Sequence, residues 1–163
     1  MKMRTISTDR IERQILLRAS RSRVWRALTD IREFNEWFGV RLDGPFVPGA
    51  GVRGKITHPG FQGSPFEIIV ERVLPGQLVS WRWHPYTAEP GVNYAAEPTT
   101  LVEFRLEELA GGSRLSVVES GFDSLPAARR QTAFEMNDRG WAEQMNSIGH
   151  HLGAAGWRRE EAG

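Results

Sequence analysis

The chain has 163 residues, of which 40% are hydrophobic and 25% charged, and its net charge is +1. That is the composition of an ordinary globular domain, and the charge gives no bulk attraction for nucleic acid or an anionic membrane. The absence of cysteine excludes disulfides, thiolate metal sites and a cysteine nucleophile.

One domain over residues 1–163 is expected, with a core from about residue 11 to about residue 155. Met1 to Arg13 is polar and charged and lacks the apolar segment of a signal peptide. No run approaches the ~18 apolar residues of a membrane span. A cytoplasmic protein without membrane insertion is the expectation. Six tryptophans and eight phenylalanines stand out. Rings of this kind fill cores and also line apolar pockets, so both uses stay open.

Ile11 to Arg18 reads as a strand, and Ser20 as the N-cap of a helix carrying Val24, Ala27, Leu28 and Ile31 at helical spacing. Asp30 starts a second short helix, which the pair Trp37-Phe38 ends against Gly39. Val52 to His58 alternates as a half-buried strand and places His58 on its apolar face. Phe66 to Leu74 is rich in β-formers with apolar residues on both faces, so its orientation stays open. In the strand Leu78 to His84, the residues Val79, Trp81 and Trp83 share a face, which leaves His84 toward solvent. Pro85 to Pro98 has no periodicity and reads as a mobile loop that gates a pocket.

Thr100 to Glu108 alternates again, with Val102, Phe104 and Leu106 inward. Gly111-Gly112 turns the chain into a last strand on which Leu115, Val117 and Glu119 share a face. A long helix begins near Ser124, and Phe134, Trp141, Met145, Ile148 and Leu152 form its apolar stripe. Gly140 reads as a kink or a point of close approach to the sheet, and the tail from Arg158 to Gly163 as frayed.

The segment Val24-Trp25-Arg26-Ala27-Leu28-Thr29-Asp30 with Trp37-Phe38, the run Glu71 to Pro75 leading to Leu78-Val79-Ser80-Trp81, Gly111 to Leu115, Ser120-Gly121-Phe122 and Gly140-Trp141 together resemble the START-like, SRPBCC or Bet v 1-like, superfamily. In particular the chain resembles the branch homologous to the C-terminal domain of the activator of the heat-shock chaperone ATPase. The resemblance implies an α+β helix-grip fold: a curved antiparallel sheet of about six or seven strands around a long C-terminal helix, with two short helices after the first strand. It also implies a cavity. Members bind lipids, hormones, polyketides and other apolar molecules, and a few are cyclases or hydrolases. The chaperone activators carry a further N-terminal domain for which this chain has no room, so the family name does not bring the activity with it.

Among candidate chemical groups, Glu119 is the most informative. It lies on an inward strand face, and a buried carboxylate has to be paired or neutral. It is either a polar anchor and proton-transfer group or a solvated residue at a strand end. His58 is either a pocket group or a turn histidine bonded to backbone. Asn137 and Gln144 flank the stripe of the last helix and offer hydrogen bonds to a ligand, or else lie at the surface. Adjacent His150 and His151 point about 100° apart on a helix, which makes a poor metal pair. No nucleophile elbow and no phosphate-cradling loop occurs.

The expected function is binding of a small, mostly apolar molecule by Trp37, Phe38, His58, Trp81, Trp83, Phe104, Glu119, Asn137, Trp141, Gln144, Met145 and Ile148. No cofactor and no metal is implied, and the chain is read as a monomer or homodimer. A cavity enzyme using Glu119 or His58 is the second reading, and a co-chaperone or stress-response partner the third. Binding is preferred over catalysis.

Overall fold

Two capping side chains set the first turns of the structure, a computed structural model that describes residues 8–85 and 93–153. Ser20 accepts a hydrogen bond from the Arg23 amide and starts α1, Arg21–Thr29. Asp30 accepts from the amides of Arg32 and Glu33 and starts α2, Ile31–Phe38. Each cap satisfies amides that the helix itself leaves unpaired. Gly39 closes α2 at φ +86°, a left-handed conformation that favours glycine.

Strand β1, Arg10–Leu17, precedes these helices. After them come β2 (Val40–Leu42), β3 (Gly51–Ile56), β4 (Pro65–Leu74), β5 (Leu78–Trp83), β6 (Thr100–Leu109) and β7 (Gly112–Ser120). The helix α3, Ala127–His151, closes the order. The seven strands form one antiparallel sheet in the order β1-β7-β6-β5-β4-β3-β2. The long helix α3 packs against β1 and α2. This is the α+β helix-grip arrangement.

The period-2 pattern of the strands directs the core toward α3. On β4 the buried residues are Phe66, Ile68 and Val70, while Glu67, Ile69 and Glu71 face outward, which settles the orientation that the sequence leaves open. On β6 and β7 the inward residues are Val102, Phe104 and Leu106, and Leu115, Val117 and Glu119. Gly54 of β3 pairs with Leu42 of the neighbouring β2, and a Cβ there would stand 1.8 Å from the Arg41 carbonyl oxygen. Only glycine allows that approach.

Several expectations change. Strand β3 ends at Ile56, and His58 is exposed in the following turn, its ring stacked on Phe61 at 6.4 Å. The amides of Thr57 and His58 both donate to the Gly39 carbonyl, which draws the chain out of the strand. His84 is half-buried, with Nε2 3.2 Å from the Glu97 carbonyl oxygen, instead of facing solvent. Helix α3 begins three residues later than Ser124, after a 3-10 turn over Phe122–Ser124.

Half of the proposed gate, residues 86–92, lies outside the described residues, as does the tail from Arg158 to Gly163. The described end of the loop is anchored. A 3-10 turn spans Tyr94–Ala96, Glu97 pairs with Arg129 of α3, and that guanidinium lies over the Tyr94 ring.

Gly140 does not serve a close approach, because a Cβ at this position would meet no atom within 4 Å. It is an ordinary helix-interior glycine, and its flexibility only weakens α3. Gly140→Ala is therefore expected to raise the unfolding free energy by about 0.5–1 kcal/mol. Chemical denaturation measures this, and a loss of stability would show that the position is constrained after all.

Candidate functional site: a buried carboxylate among rings

Four elements build the site. Strand β7 supplies Glu119, which is paired across the sheet with Val102 of β6 and Ile11 of β1. Strands β5 and β6 supply Trp83 and Thr100, which are themselves direct cross-strand partners. Helix α3 supplies Asn137 and Trp141, four residues apart and so on one face.

All four groups point hydrogen-bond donors at the carboxylate, which is 0% exposed. Trp83 Nε1 and Thr100 Oγ1 donate to Oε2 at 2.7 and 2.6 Å. Trp141 Nε1 donates to Oε1 at 2.7 Å. Asn137 Nδ2 reaches both oxygens, at 3.0 and 3.2 Å. None of these partners carries a positive charge. Burial pushes the Glu119 carboxyl above its ordinary value, and the bonds from Thr100, Trp141, Trp83 and Asn137 oppose that shift without cancelling it. The Thr100 hydroxyl can accept as well as donate, so a protonated Glu119 keeps a partner at this position.

Around the carboxylate the rings touch one another. Phe38 meets Phe66, Trp81, Trp83 and Trp141 with centroids 5.7, 6.3, 6.4 and 6.0 Å away. Trp81 and Trp83 meet edge to face at 4.9 Å, and Phe104 lies 5.7 Å from Trp141. The structure thus brings Phe38, Trp81, Trp83, Phe104, Glu119, Asn137 and Trp141 into one cluster. Trp37 joins it through Phe38 and Phe104, with its indole donating to the Ala27 carbonyl at 2.8 Å. Met145 and Ile148 belong to the same core on later turns of α3.

Gln144 is used differently from expectation: its Nε2 donates to the Phe38 carbonyl at 2.9 Å and ties α3 to the end of α2. Ser147 makes a parallel tie to the Trp37 carbonyl at 2.5 Å. His58 is not part of the cluster, since it is exposed in the turn beyond β3. Thr100 and Ser147 make contacts here that sequence reasoning misses. Thr100 shares the alternation of Val102 and Phe104, and that inward register is the signal by which it could be found.

Two places open toward the outside. Trp83 and Asn137 are only half-buried, so the cluster reaches the surface at this end. Nearby, a small depression is lined by His84, Leu125 and Ala133, the last of these one helical turn before Asn137. A separate groove of about 430 Å³ runs over α1 and α2 between Arg26, Arg32 and Glu36, and its lining is charged.

A second charged group fastens the far end of α3. Glu33 of α2 binds Arg23 at 2.8 Å, Arg26 at 3.0 Å and His151 Nε2 at 2.9 Å. Partial burial alone would raise its pKa. Hydrogen bonds from His151 and Arg23, with the charges of Arg23 and Arg26, outweigh that and hold it below the usual value. A carboxyl lowered on folding contributes stability above its unfolded pKa and loses it as pH falls through the folded one. Acid unfolding should therefore include a contribution from this clasp, and Glu33→Gln should flatten that part of the curve. Superimposable acid curves for the two proteins would assign the clasp no role in stability.

A seven-stranded sheet closed over a long final helix, with its polar group sealed between them, defines a START-like helix-grip protein. Residues 18–153 match the family described as Activator of Hsp90 ATPase homolog 1-like protein, and the chain belongs to that family. No curated protein matches the chain. Among solved structures it is similar to DynU16, a protein in the dynemicin biosynthetic locus, at 26% identity and TM-score 0.69. That match covers 88% of this chain and 47% of DynU16, so the chain spans about half of that protein's length. It is also similar to MLL2253 from Mesorhizobium loti, at 20% identity and TM-score 0.70, over 88% of this chain and 96% of that one. The Aha1 dimer from Colwellia psychrerythraea matches at 18% identity and TM-score 0.63, over 86% of this chain and 92% of that one. The last two likenesses concern the fold. Among the described residues no helix is long and apolar enough to cross a membrane.

Proposed function

We propose that the chain binds a small, mostly apolar molecule in the ring cluster about Glu119, between the sheet and α3. The observation that carries this reading is the carboxylate itself. It is fully buried, meets only neutral donors, and is enclosed by tryptophan and phenylalanine rings. Removing a carboxylate from water costs several kcal/mol, and an apolar side chain of similar size would serve stability at least as well. A sealed, perturbed acid inside an aromatic shell is the pattern of a binding site more than of a plain core.

The ligand enters where Trp83 and Asn137 reach the surface and parts the rings. Burial of its apolar surface drives binding at ~25 cal/mol per Å², reduced by the ordering of side chains and by the contacts the rings give up. The place of DynU16 in a biosynthetic locus is consistent with a small organic ligand. Of the two groups considered for proton transfer, Glu119 or His58, only Glu119 lies in the ring cluster, since His58 is exposed in the turn beyond β3. No cofactor is part of the proposal.

The test is fluorescence titration with an environment-sensitive apolar dye, followed by displacement with a non-fluorescent competitor. Saturable, displaceable binding to the native chain is expected. Fluorescence that never saturates, or that arises only with partly unfolded protein, would contradict the reading.

A further inference from the structure

Trp81 sits in the middle of β5, opposite Val70 of β4 and Val102 of β6. It is 0% exposed, and its indole Nε1 finds no hydrogen-bond partner among the described residues. The indoles of Trp37, Trp83 and Trp141 all find an acceptor. An indole N–H only donates, and buried donors are seldom left unmatched. The groups around Trp81 are the rings of Phe38, Trp83, Phe104 and Trp141, at 4.9 to 6.4 Å. A ring face returns only a weak fraction of a hydrogen bond.

The chemistry left unused in the cluster is therefore a donor. The carboxylate of Glu119 already accepts from Trp83, Thr100, Asn137 and Trp141. A cationic amine would have to displace those bonds before it could pair with Glu119. An acceptor oxygen meets no such competition at Trp81. We infer that Trp81 Nε1 sets the specificity of this site, selecting a small apolar molecule with an acceptor oxygen, a carbonyl or ether, over the bare hydrocarbon. The inference rests on the ligand-binding reading above and adds the ligand's chemical class.

Calorimetric titration with 1-tetralone, tetralin and 2-aminotetralin separates the two. The skeleton is shared, and only the polar group changes. Tetralone is expected to bind about ten-fold more tightly than tetralin, the ratio of one well-made buried hydrogen bond. Trp81→Phe should bring the two affinities together. In the unmodified chain, the 15N-labelled indole N–H resonance of Trp81 should move with tetralone and stay in place with tetralin. That measurement decides the matter even if the phenylalanine variant fails to fold. Equal affinities for tetralone and tetralin, or tightest binding of the amine, would overturn the inference and leave ligand binding standing. Failure of all three to bind would overturn both.

Discussion

Trp141→Ala is expected to lower the unfolding free energy by about 3–5 kcal/mol, a large part of a typical domain's ~5–15. The side chain is 2% exposed and touches the rings of Phe38, Trp81, Trp83 and Phe104. Its loss opens a cavity where α3 meets the sheet and also takes a donor away from Glu119. Trp141→Phe separates the two effects. It keeps one aromatic ring in the cluster and loses the N–H with the rest of the indole, at a smaller cost of about 1–3 kcal/mol. Denaturant midpoints measure both. An alanine variant as stable as the unmodified chain would mean that the rings re-pack without this one, and that the cluster is looser than its contacts imply.

Glu119→Gln is the second informative change. The substitution keeps size and removes charge, so transfer terms alone would make it favourable. The donor geometry gives the opposite sign. If the new amide oxygen takes the Oε2 place, its NH2 group faces the Trp141 indole N–H. If it takes the Oε1 place, NH2 faces the Trp83 indole N–H. Thr100 and Asn137 can turn to accept, whereas an indole cannot. One indole is left unmatched either way, and a loss of about 1–3 kcal/mol at neutral pH follows. A stabilised glutamine variant would show that the carboxyl is held protonated and that the donors are arranged around the neutral acid.

The pH sign for Glu119 is opposite to that for Glu33. Burial raises the Glu119 carboxyl on folding. Its contribution is fully present below the unfolded carboxylate pKa and is lost as pH rises through the raised folded value. Glu33, held low by His151 and the arginines, loses its contribution as pH falls. The two carboxyls thus act on opposite sides of the stability maximum, and single variants at each tell them apart.

Much of the architecture is legible in the sequence because local signals agree with the global arrangement. Ser20, Asp30 and Gly39 mark helix ends by capping chemistry, and period-2 alternation on β6 and β7 gives their inward faces. Glu119 is legible in the same way, as a polar residue in register with Leu115 and Val117. The set of its partners is not. Trp83, Thr100, Asn137 and Trp141 come together only through the register of β5 on β6 and the docking of α3, which no local pattern encodes. His58 departs from its expected place because the alternation Val52, Gly54, Ile56 continues one step past the point where Gly63 N–H donates to the Ile56 carbonyl and the chain turns. Gly140 departs from expectation because a glycine beside a buried tryptophan resembles a contact point, whereas its own Cβ direction meets empty space.

The central claim is that the ring cluster about Glu119 opens for a small apolar molecule. A crystal structure of the chain grown with 1-tetralone tests it most directly. The account predicts the ligand between β5 and α3, in contact with Phe38, Trp83 and Trp141, with those rings displaced from the contacts they now make. A ligand held only in the charged groove between Arg26 and Glu36, with the ring cluster unchanged, would contradict it.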